Sequence, residues 1–163
     1  MSLLGWEPGN LASRSTAQAI TFGSGRPVVL LPATAEIKAI KHVAIAWDGS
    51  RVAARAVADA LPFLERASRT SVLTVVDDKP LKDEGIAERL AVSLGRRGVD
   101  ARAFSLKQGG SPIGIGLQEH ALEQGADLLV MGGFGHSVVR DFILGGATEN
   151  ILDDLRLPTL LSH

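Results

Sequence analysis

Apolar residues along the chain form two alternating patterns, short runs typical of buried strands and longer segments with helical spacing. Strand-like runs lie near residues 42–47, 71–77, 99–106 and 126–132, and helix-like segments lie near 51–68, 82–97 and 112–124. Short apolar runs that alternate with helices predict parallel strands joined by crossover helices on both faces of a sheet. The pattern therefore predicts an α/β fold with a doubly wound sheet.

The helix predicted after the first of these strands has the clearest pattern. Ser50 is a good N-cap residue. Seven apolar residues recur at helical spacing, namely Val52, Ala53, Ala56, Val57, Ala60, Leu61 and Leu64. Because Pro62 removes a backbone donor and crowds the preceding turn, we expect a bend there and not the end of the helix.

Residues 1–38 form an N-terminal arm before the alternating pattern, and residues 39–163 form the main domain. Segment 24–32 of the arm is similar to segment 155–162, and both predict a strand, at 27–31 and 158–161. One interpretation is that the arm is the remnant of a preceding, degenerate repeat of the same domain. Residues 1–23 are then its last loop and helix, with an expression leader at 1–3. The alternative is a long arm that packs wherever apolar surface is free.

Composition excludes several classes of function. The 163 residues fit one domain with an appendage, and 45% hydrophobic residues suffice for a sizeable core. A net charge of −1 offers no field for nucleic acid or an anionic membrane. The absence of cysteine excludes disulfides, zinc thiolate sites and thiol catalysis. Without an apolar run of membrane-spanning length or an export signal, we expect a cytoplasmic protein.

Two glycine pairs follow the buried apolar run at 126–130: Gly132 with Gly135, and Gly145 with Gly146. Glycine permits positive φ and leaves backbone amides uncovered, so such a loop can direct donors toward an anion. The second pair begins a predicted helix, whose positive dipole end faces the same space. The chain has no Gly-Lys-Ser/Thr step, and Gly114-Ile115-Gly116 lacks the third glycine of a dinucleotide loop. Any one of these glycines is explained by an ordinary turn, and only their combined spacing favours an anion site.

The spacing Gly132-x2-Gly135-x9-Gly145, followed by Gly-Ala-Thr-Glu-Asn at 146–150, resembles the nucleotide loop of the universal stress protein family. Other segments are similar to the family's first strand and Asp-Gly-Ser turn, its second strand, the start of the helix before the glycine loop, and its closing strand; they lie at 41–50, 71–77, 109–112 and 157–161. The resemblance runs nearly continuously from about residue 40 onward. It implies a five-stranded parallel sheet of order 3-2-1-4-5.

The resemblance also implies a nucleotide site where the strand order reverses, outside the carboxyl ends of the strands. In this site Ala46, Trp47 and Asp48 border the adenine and ribose, with Val75 over the base. Met131 and Gly132 face the ribose and phosphates. Donors to the phosphates come from Gly135, Gly145, Gly146, Ala147 and Thr148, including the Thr148 hydroxyl. The alternatives are core packing for Val75 and Met131, and an ordinary turn for Asp48.

The chain departs from the family pattern at two of these positions. Nucleotide-binding members usually have Ser or Thr where this chain has Gly146. The missing hydrogen bond to a charged group is worth about 1.5–3 kcal/mol, or roughly ten- to a hundredfold in affinity. Trp47 stands where smaller aliphatic residues are common. Its indole either stacks on a base or fills the base site.

The sequence gives little support for a catalytic site or a resident metal site. His136 and Ser137 follow Gly135, but nothing in the spacing orients a nucleophile among them and Asp48. No two histidines have helical metal-binding spacing. Residues 77–78, Asp-Asp, could hold Mg²⁺ with a bound triphosphate, although a solvated turn is the favoured interpretation. We therefore expect no catalytic residue and no resident metal site.

Two functions remain for this sequence. The first is a module that binds an adenine nucleotide, ATP or AMP, with little or no hydrolysis and acts as a stress-response sensor or switch. The alternative is a dimer of the same fold that binds no nucleotide and acts through protein contacts. The apolar strand at 158–161 must be paired or covered. The resemblance implies a homodimer through edge strands, with the arm strand covering this edge in its own subunit or in a partner.

Overall fold

Strands and helices alternate along the part of the chain described by the computed structural model, residues 1–36, 38–76, 85–107, 109–133 and 146–163. The strands are β1 (Ser2–Trp6), β2 (Val28–Pro32), β3 (His42–Ala46), β4 (Arg69–Val75), β5 (Ala101–Leu106), β6 (Leu128–Gly132) and β7 (Thr159–Ser162). The α-helices are α1 (Leu11–Gln18), α2 (Arg51–Leu64), α3 (Ile86–Gly95), α4 (Ile113–Glu123) and α5 (Gly146–Asp153). A wider π turn, Ala19–Gly23, continues α1.

All these strands form one sheet of order β1-β2-β7-β6-β3-β4-β5. Neighbouring strands are parallel except β2 and β7, which are antiparallel. The predicted α/β class is confirmed. The sheet itself is mixed and seven-stranded, whereas the resemblance implied five parallel strands with an additional strand-bearing arm. The difference arises because the arm contributes β1 and β2 to the same hydrogen-bonded sheet.

Helices cover both faces of the sheet. Buried residues of α1, α4 and α5 pack on one face, which we call the α5 face, in a cluster that includes Ala17, Leu117 and Ile151. Buried residues of α2 and α3 pack on the opposite face, the α2 face. Because β3 and β6 are neighbours and the helices that follow them lie on opposite faces, the winding reverses between these two strands.

Helix α2 illustrates how the sequence pattern produces the fold. The Ser50 hydroxyl accepts from the Ala53 amide at 3.2 Å, as expected of the N-cap. The helix continues through Pro62 and ends at Leu64. Six of the seven apolar positions of the pattern are buried, namely Val52, Ala53, Ala56, Val57, Ala60 and Leu64. The apolar stripe therefore fixes which side of α2 faces the sheet.

The N-terminal arm is more regular than the sequence indicated. Residues 27–31 were predicted as a strand, and β2 occupies nearly the same range. Residues 1–23 were interpreted as a loop and helix, but they include β1, which pairs with β2 in parallel. Trp6 is 2% exposed, and its indole N–H donates to the Leu152 carbonyl at 2.9 Å. This buried hydrogen bond fastens the arm to α5.

Among the described residues, none of the helices has the length and apolar character needed to cross a membrane.

Candidate functional site

The carboxyl ends of β3 and β6 lie side by side at the reversal point. The two strands pair in parallel, with Val43 opposite Leu128 and Ile45 opposite Val130. Parallel pairing places both strand ends, and the residues that follow them, at the same edge of the sheet. In doubly wound sheets this reversal point is where ligands bind.

Four of the residues predicted for the site lie together on the α5 face. Ala46, Val75 and Met131 stand at or beside the carboxyl ends of the adjacent strands β3, β4 and β6, and Ala147 lies in the first turn of α5. All four contact the same apolar cluster, in which Met131 is 4% exposed. The four residues, which we call the apolar floor, therefore lie on the same face of the sheet, and their packing against this cluster accounts for part of their burial.

Trp47 lies on the other side of the sheet. Its side chain packs against the cluster of the α2 face, and its indole N–H donates to the Ile86 carbonyl at 3.1 Å. Its backbone N–H donates to the Leu73 carbonyl at 2.8 Å, and its carbonyl accepts from the Thr74 hydroxyl at 2.8 Å. The indole is therefore directed away from Ala46 and does not fill the space beside the apolar floor.

An open surface cleft of about 480 Å³ lies beside Trp47 on the α2 side. It is lined by Trp47, Asp48, Gly49, Ile86, Arg89, Leu90 and Ser93. The exposed Asp48 forms a turn, in which its Oδ1 accepts from the Ser50 amide at 2.9 Å. The turn interpretation therefore accounts for this hydrogen bond of Asp48 without a ligand.

Gly132 is required by packing. A Cβ at this position would lie 2.6 Å from the Ala53 nitrogen and 2.6 Å from the Val52 carbonyl carbon. The end of β6 thus runs directly against the first turn of α2, and a side chain there would force the two apart. The sequence analysis assigned Gly132 to a nucleotide and missed this contact, because α2 lies far away along the chain.

The start of α5 is held by a second close approach. A Cβ on Gly114 of α4 would lie 2.8 Å from Asn150 Cβ and would also collide with the Ala147 carbonyl oxygen. In contrast, a Cβ on the exposed Gly146 would meet no atom of the described residues within 4 Å. Thr148 is 4% exposed. The first turn of α5 is therefore fixed on its inner side and open at Gly146.

Several predicted residues lie outside the described part of the chain. These are Gly135 and Gly145 of the glycine loop, His136 and Ser137, and the Asp-Asp pair at 77–78. The structure describes the two borders of the loop, Gly133 and Gly146.

A polar network surrounds His42 at the opposite, amino end of β3. Burial, and then the charge of Arg69, lower the pKa of His42. His42 Nδ1 lies 2.9 Å from Arg69 Nη2 and 3.1 Å from the Gln124 carbonyl oxygen, and Nε2 lies 2.8 Å from Ser71 Oγ. Ser71 is 1% exposed. The His42–Ser71 pair is therefore structural, since no substrate reaches the hydroxyl.

Asp127 belongs to the same end of the sheet. Burial raises its pKa, but hydrogen bonds from Lys38 Nζ at 2.7 Å and from the amides of Lys41 and His42 outweigh this and lower it below its ordinary value. Within the described ranges, no group of three or more acidic or histidine side chains could hold a metal ion. The bonds of Asp127 thus connect the residue before β6 to the segment that leads into β3.

A sheet whose winding reverses between two parallel strands, with helices on both faces, defines the class of doubly wound α/β domains. The match to a protein-family model shows which family of this class the chain belongs to. The model of the universal stress protein family matches residues 39–163, and the chain belongs to this family.

Solved structures of the family share the fold. A universal stress protein from Archaeoglobus fulgidus DSM 4304 matches 98% of this chain with a TM-score of 0.71 and 18% identity. A putative one from Pseudomonas aeruginosa UCBPP-PA14 also matches 98%, with a TM-score of 0.62 and 18% identity. The chain spans 59% and 62% of these two proteins.

A further structure, a universal stress protein in complex with cAMP, matches 77% of this chain and 98% of its own length, with a TM-score of 0.58 and 24% identity. The comparison with curated proteins gives no match.

Proposed function

We propose that this universal stress protein binds an adenine nucleotide at the ends of β3, β4 and β6 and acts as a sensor or switch in a stress response. The observation that carries the proposal is that Ala46, Val75, Met131 and Ala147 share the α5 face, three at or beside strand ends and one in the first turn of α5. An apolar floor on the same face of the sheet as a helix N-terminus suits a ligand with a flat base and a phosphate. A structural relative in complex with cAMP supports an adenine ligand.

The proposed roles follow from these positions. Ala46 and Val75 contact the base, Met131 and Gly132 face the ribose, and Asp48 lies at the ribose edge. Trp47 contributes through its backbone alone, because its indole lies on the α2 face. Donors to the phosphates come from Gly135, Gly145, Gly146, Ala147 and Thr148. We propose ATP or AMP as the ligand, Mg²⁺ accompanying a triphosphate, and little or no hydrolysis.

The alternative function, a protein that binds no nucleotide and acts through protein contacts, is favoured by two observations. Gly146 lacks the hydroxyl of nucleotide-binding members, and Gly132 has a packing reason to be glycine. Part of the glycine spacing is therefore explained without any ligand.

Substitutions at Gly146 discriminate between the two functions. Because a Cβ on this residue would meet no atom of the described residues within 4 Å, we expect Ser, Ala and Asp to fit. We expect Gly146→Ser to bind ATP or AMP about tenfold more tightly than the unmodified chain, as one hydrogen bond to phosphate is restored. Gly146→Asp should bind far more weakly, since its carboxylate repels phosphate while stabilising the helix N-terminus.

Isothermal titration calorimetry measures these affinities, and Gly146→Ala is the matched control for the added Cβ. It should bind like the unmodified chain. Absence of binding by both the unmodified chain and Gly146→Ser would reject the nucleotide function and leave the alternative.

We also propose that residues 1–38 are the last part of a preceding, incomplete repeat and that residues 39–163 are the universal stress protein domain. Each segment contains a strand, helix and strand in the same order, β1-α1-β2 and β6-α5-β7. An experimental structure in which these two units cannot be superimposed would contradict this assignment.

We propose a homodimer in which an edge strand forms the contact. Both strands predicted to cross the interface, β2 and β7, are already paired on two sides within one chain. Unless these strands are exchanged between copies, the edges of the described sheet are β1 and β5. Apolar side chains near β1 are exposed, with Leu3 at 67% and Leu11 at 78%. We therefore place the contact at β1.

A further inference from the structure

Gly133, the residue directly after β6, is held on both of its backbone groups by the end of β7. Its N–H donates to the Ser162 carbonyl at 2.8 Å. Its carbonyl oxygen accepts from His163 Nδ1 at 3.1 Å. A carbonyl only accepts, so the imidazole proton resides on Nδ1. The last described residue before the glycine loop is thus anchored from one neighbouring strand.

The first connection from this anchor leads to the arm through an aromatic contact. Phe22, in the π turn after α1, meets the His163 ring in an edge-to-face arrangement, with centroids 4.9 Å apart and planes at 67°. This geometry is favourable for two aromatic rings, worth about 0.5–1.5 kcal/mol beyond burial. Phe22 thereby restricts the ring that donates to Gly133.

The second connection leads to the arm through α2. The Ser162 hydroxyl donates to Asp59 Oδ2 at 2.6 Å, and Arg55 Nε donates to the same oxygen at 2.9 Å. Arg55 Nη2 then donates to the Gly25 carbonyl of the arm at 3.4 Å. Asp59 thus links Ser162 to Arg55. The Ser162 carbonyl accepts from the Gly133 amide, and Arg55 contacts the arm.

From these two connections we propose that the arm regulates the nucleotide site, with His163 as the positioning residue that fixes Gly133. The inference rests on the proposed function. Fixing backbone before binding lowers the ordering cost that a ligand must overcome. Contacts from the arm therefore strengthen binding, and anything that displaces the arm weakens it without touching the nucleotide.

Two substitutions at His163 isolate the hydrogen bond to Gly133. Asn places its amide nitrogen near the position of Nδ1 and keeps the donor, whereas the longer Gln side chain places its nitrogen nearer Nε2. We expect His163→Gln to bind ATP or AMP about fivefold to tenfold more weakly and His163→Asn to bind like the unmodified chain.

Amide hydrogen exchange at Gly133, followed by NMR, gives a second measurement that needs no nucleotide. We expect exchange to be about tenfold faster in His163→Gln, because one of the two anchoring bonds is lost, and unchanged in His163→Asn.

The aromatic contact is tested by Phe22→Leu, with Phe22→Tyr as the control that retains the ring. We expect Phe22→Leu to weaken binding about threefold and to accelerate Gly133 exchange to the same degree. If Phe22 acts through His163, the double variant Phe22→Leu/His163→Gln should be no worse than His163→Gln alone.

The outcomes separate this inference from the proposed function. If the unmodified chain binds no nucleotide, the proposed function fails and regulation of that site fails with it, whereas Gly133 exchange still decides whether His163 positions the backbone. Unchanged exchange in His163→Gln overturns the positioning role. Faster exchange with unchanged nucleotide affinity overturns the regulatory role. Both effects together, with rescue by Asn, support it.

Discussion

Two strand–helix–strand units in this molecule have the same architecture and different chemistry: β1-α1-β2 in the arm and β6-α5-β7 at the other end of the chain. In each unit the two strands are adjacent and parallel. The helices α1 and α5 both lie on the α5 face of the sheet. β2 and β7 pair antiparallel with Val29 opposite Leu160. The units are therefore related by an approximate two-fold axis, and their registers equate Gly5 with Gly132.

The connection between strand and helix distinguishes the two units. In the arm only residues 7–10 join β1 to α1, whereas residues 133–145 join β6 to α5. Asn10 caps α1, where its Oδ1 accepts from the amides of Ala12 at 3.0 Å and Ser13 at 3.2 Å. Amides that could bind an anion are thus occupied in the arm. We therefore expect the proposed phosphate contacts only in the β6-α5-β7 unit, where the connection is longer and its sequence contains several glycines.

The largest expected effect concerns the equivalent glycines. Gly132→Ala should lower the free energy of unfolding by about 2–3 kcal/mol, because its Cβ would be pressed against the backbone of α2. Gly5→Ala is the matched control, since its Cβ would meet no described atom within 4 Å. It should leave stability unchanged or raise it by about 0.5 kcal/mol. Urea unfolding measures both, and equal effects would show that the two positions do not differ in packing.

The next effect concerns the open edge of the arm. Leu3→Lys places a charge on the exposed edge strand β1, which should convert the proposed homodimer to a monomer while the fold is retained. Sedimentation equilibrium checks the mass, with Leu122→Lys, at an exposed position on α4, as the control. A monomeric unmodified chain, or a variant that still dimerises, would contradict the assignment of the interface to β1.

The smallest expected effect concerns His42, the first residue of β3. Its pKa in the folded protein is below the ordinary value of 6.5. At pH values between the folded and the ordinary pKa, the unfolded chain binds more protons than the folded protein. The stability that is fully present above pH 6.5 is therefore lost as the pH falls through this window. The free energy of unfolding should fall from pH 7 to pH 5.5, and less steeply in His42→Gln.

For this pH experiment His163→Asn is the control, and it should retain the full pH dependence. Asp127 contributes little in this window, because its ordinary pKa is 3.8 and its folded pKa is lower still. Parallel pH profiles for the unmodified chain and His42→Gln would exclude His42 as the source.

Local patterns in the sequence predicted the elements that depend on near neighbours. The Ser50 cap and the apolar stripe of α2 are examples. The side on which Trp47 lies was also available, because alternation along β3 puts Val43, Ile45 and Trp47 on one face and Ala44 and Ala46 on the other. β1 was missed because it is a short strand that contains glycine and whose residues carry little alternation.

Close approaches between distant elements could not be predicted. Gly132 meets α2 and Gly114 meets α5 only after the sheet has formed, and neither contact leaves a mark in the neighbouring sequence. The hydrogen bond from His163 to Gly133 has the same origin. Local sequence therefore drew attention to Gly132 but assigned no role to Gly114, and it gave no means of separating glycines that serve packing from those predicted to contact a ligand.

The antiparallel β2–β7 pair has a consequence for biosynthesis. β2 emerges early from the ribosome, but its partner Thr159–Ser162 is the last strand of the sheet to be made. Until then the apolar residues 28–31 have no β7 to pair with and are open to self-association or to a chaperone. Docking of the N-terminal segment should thus be a late and comparatively slow folding event.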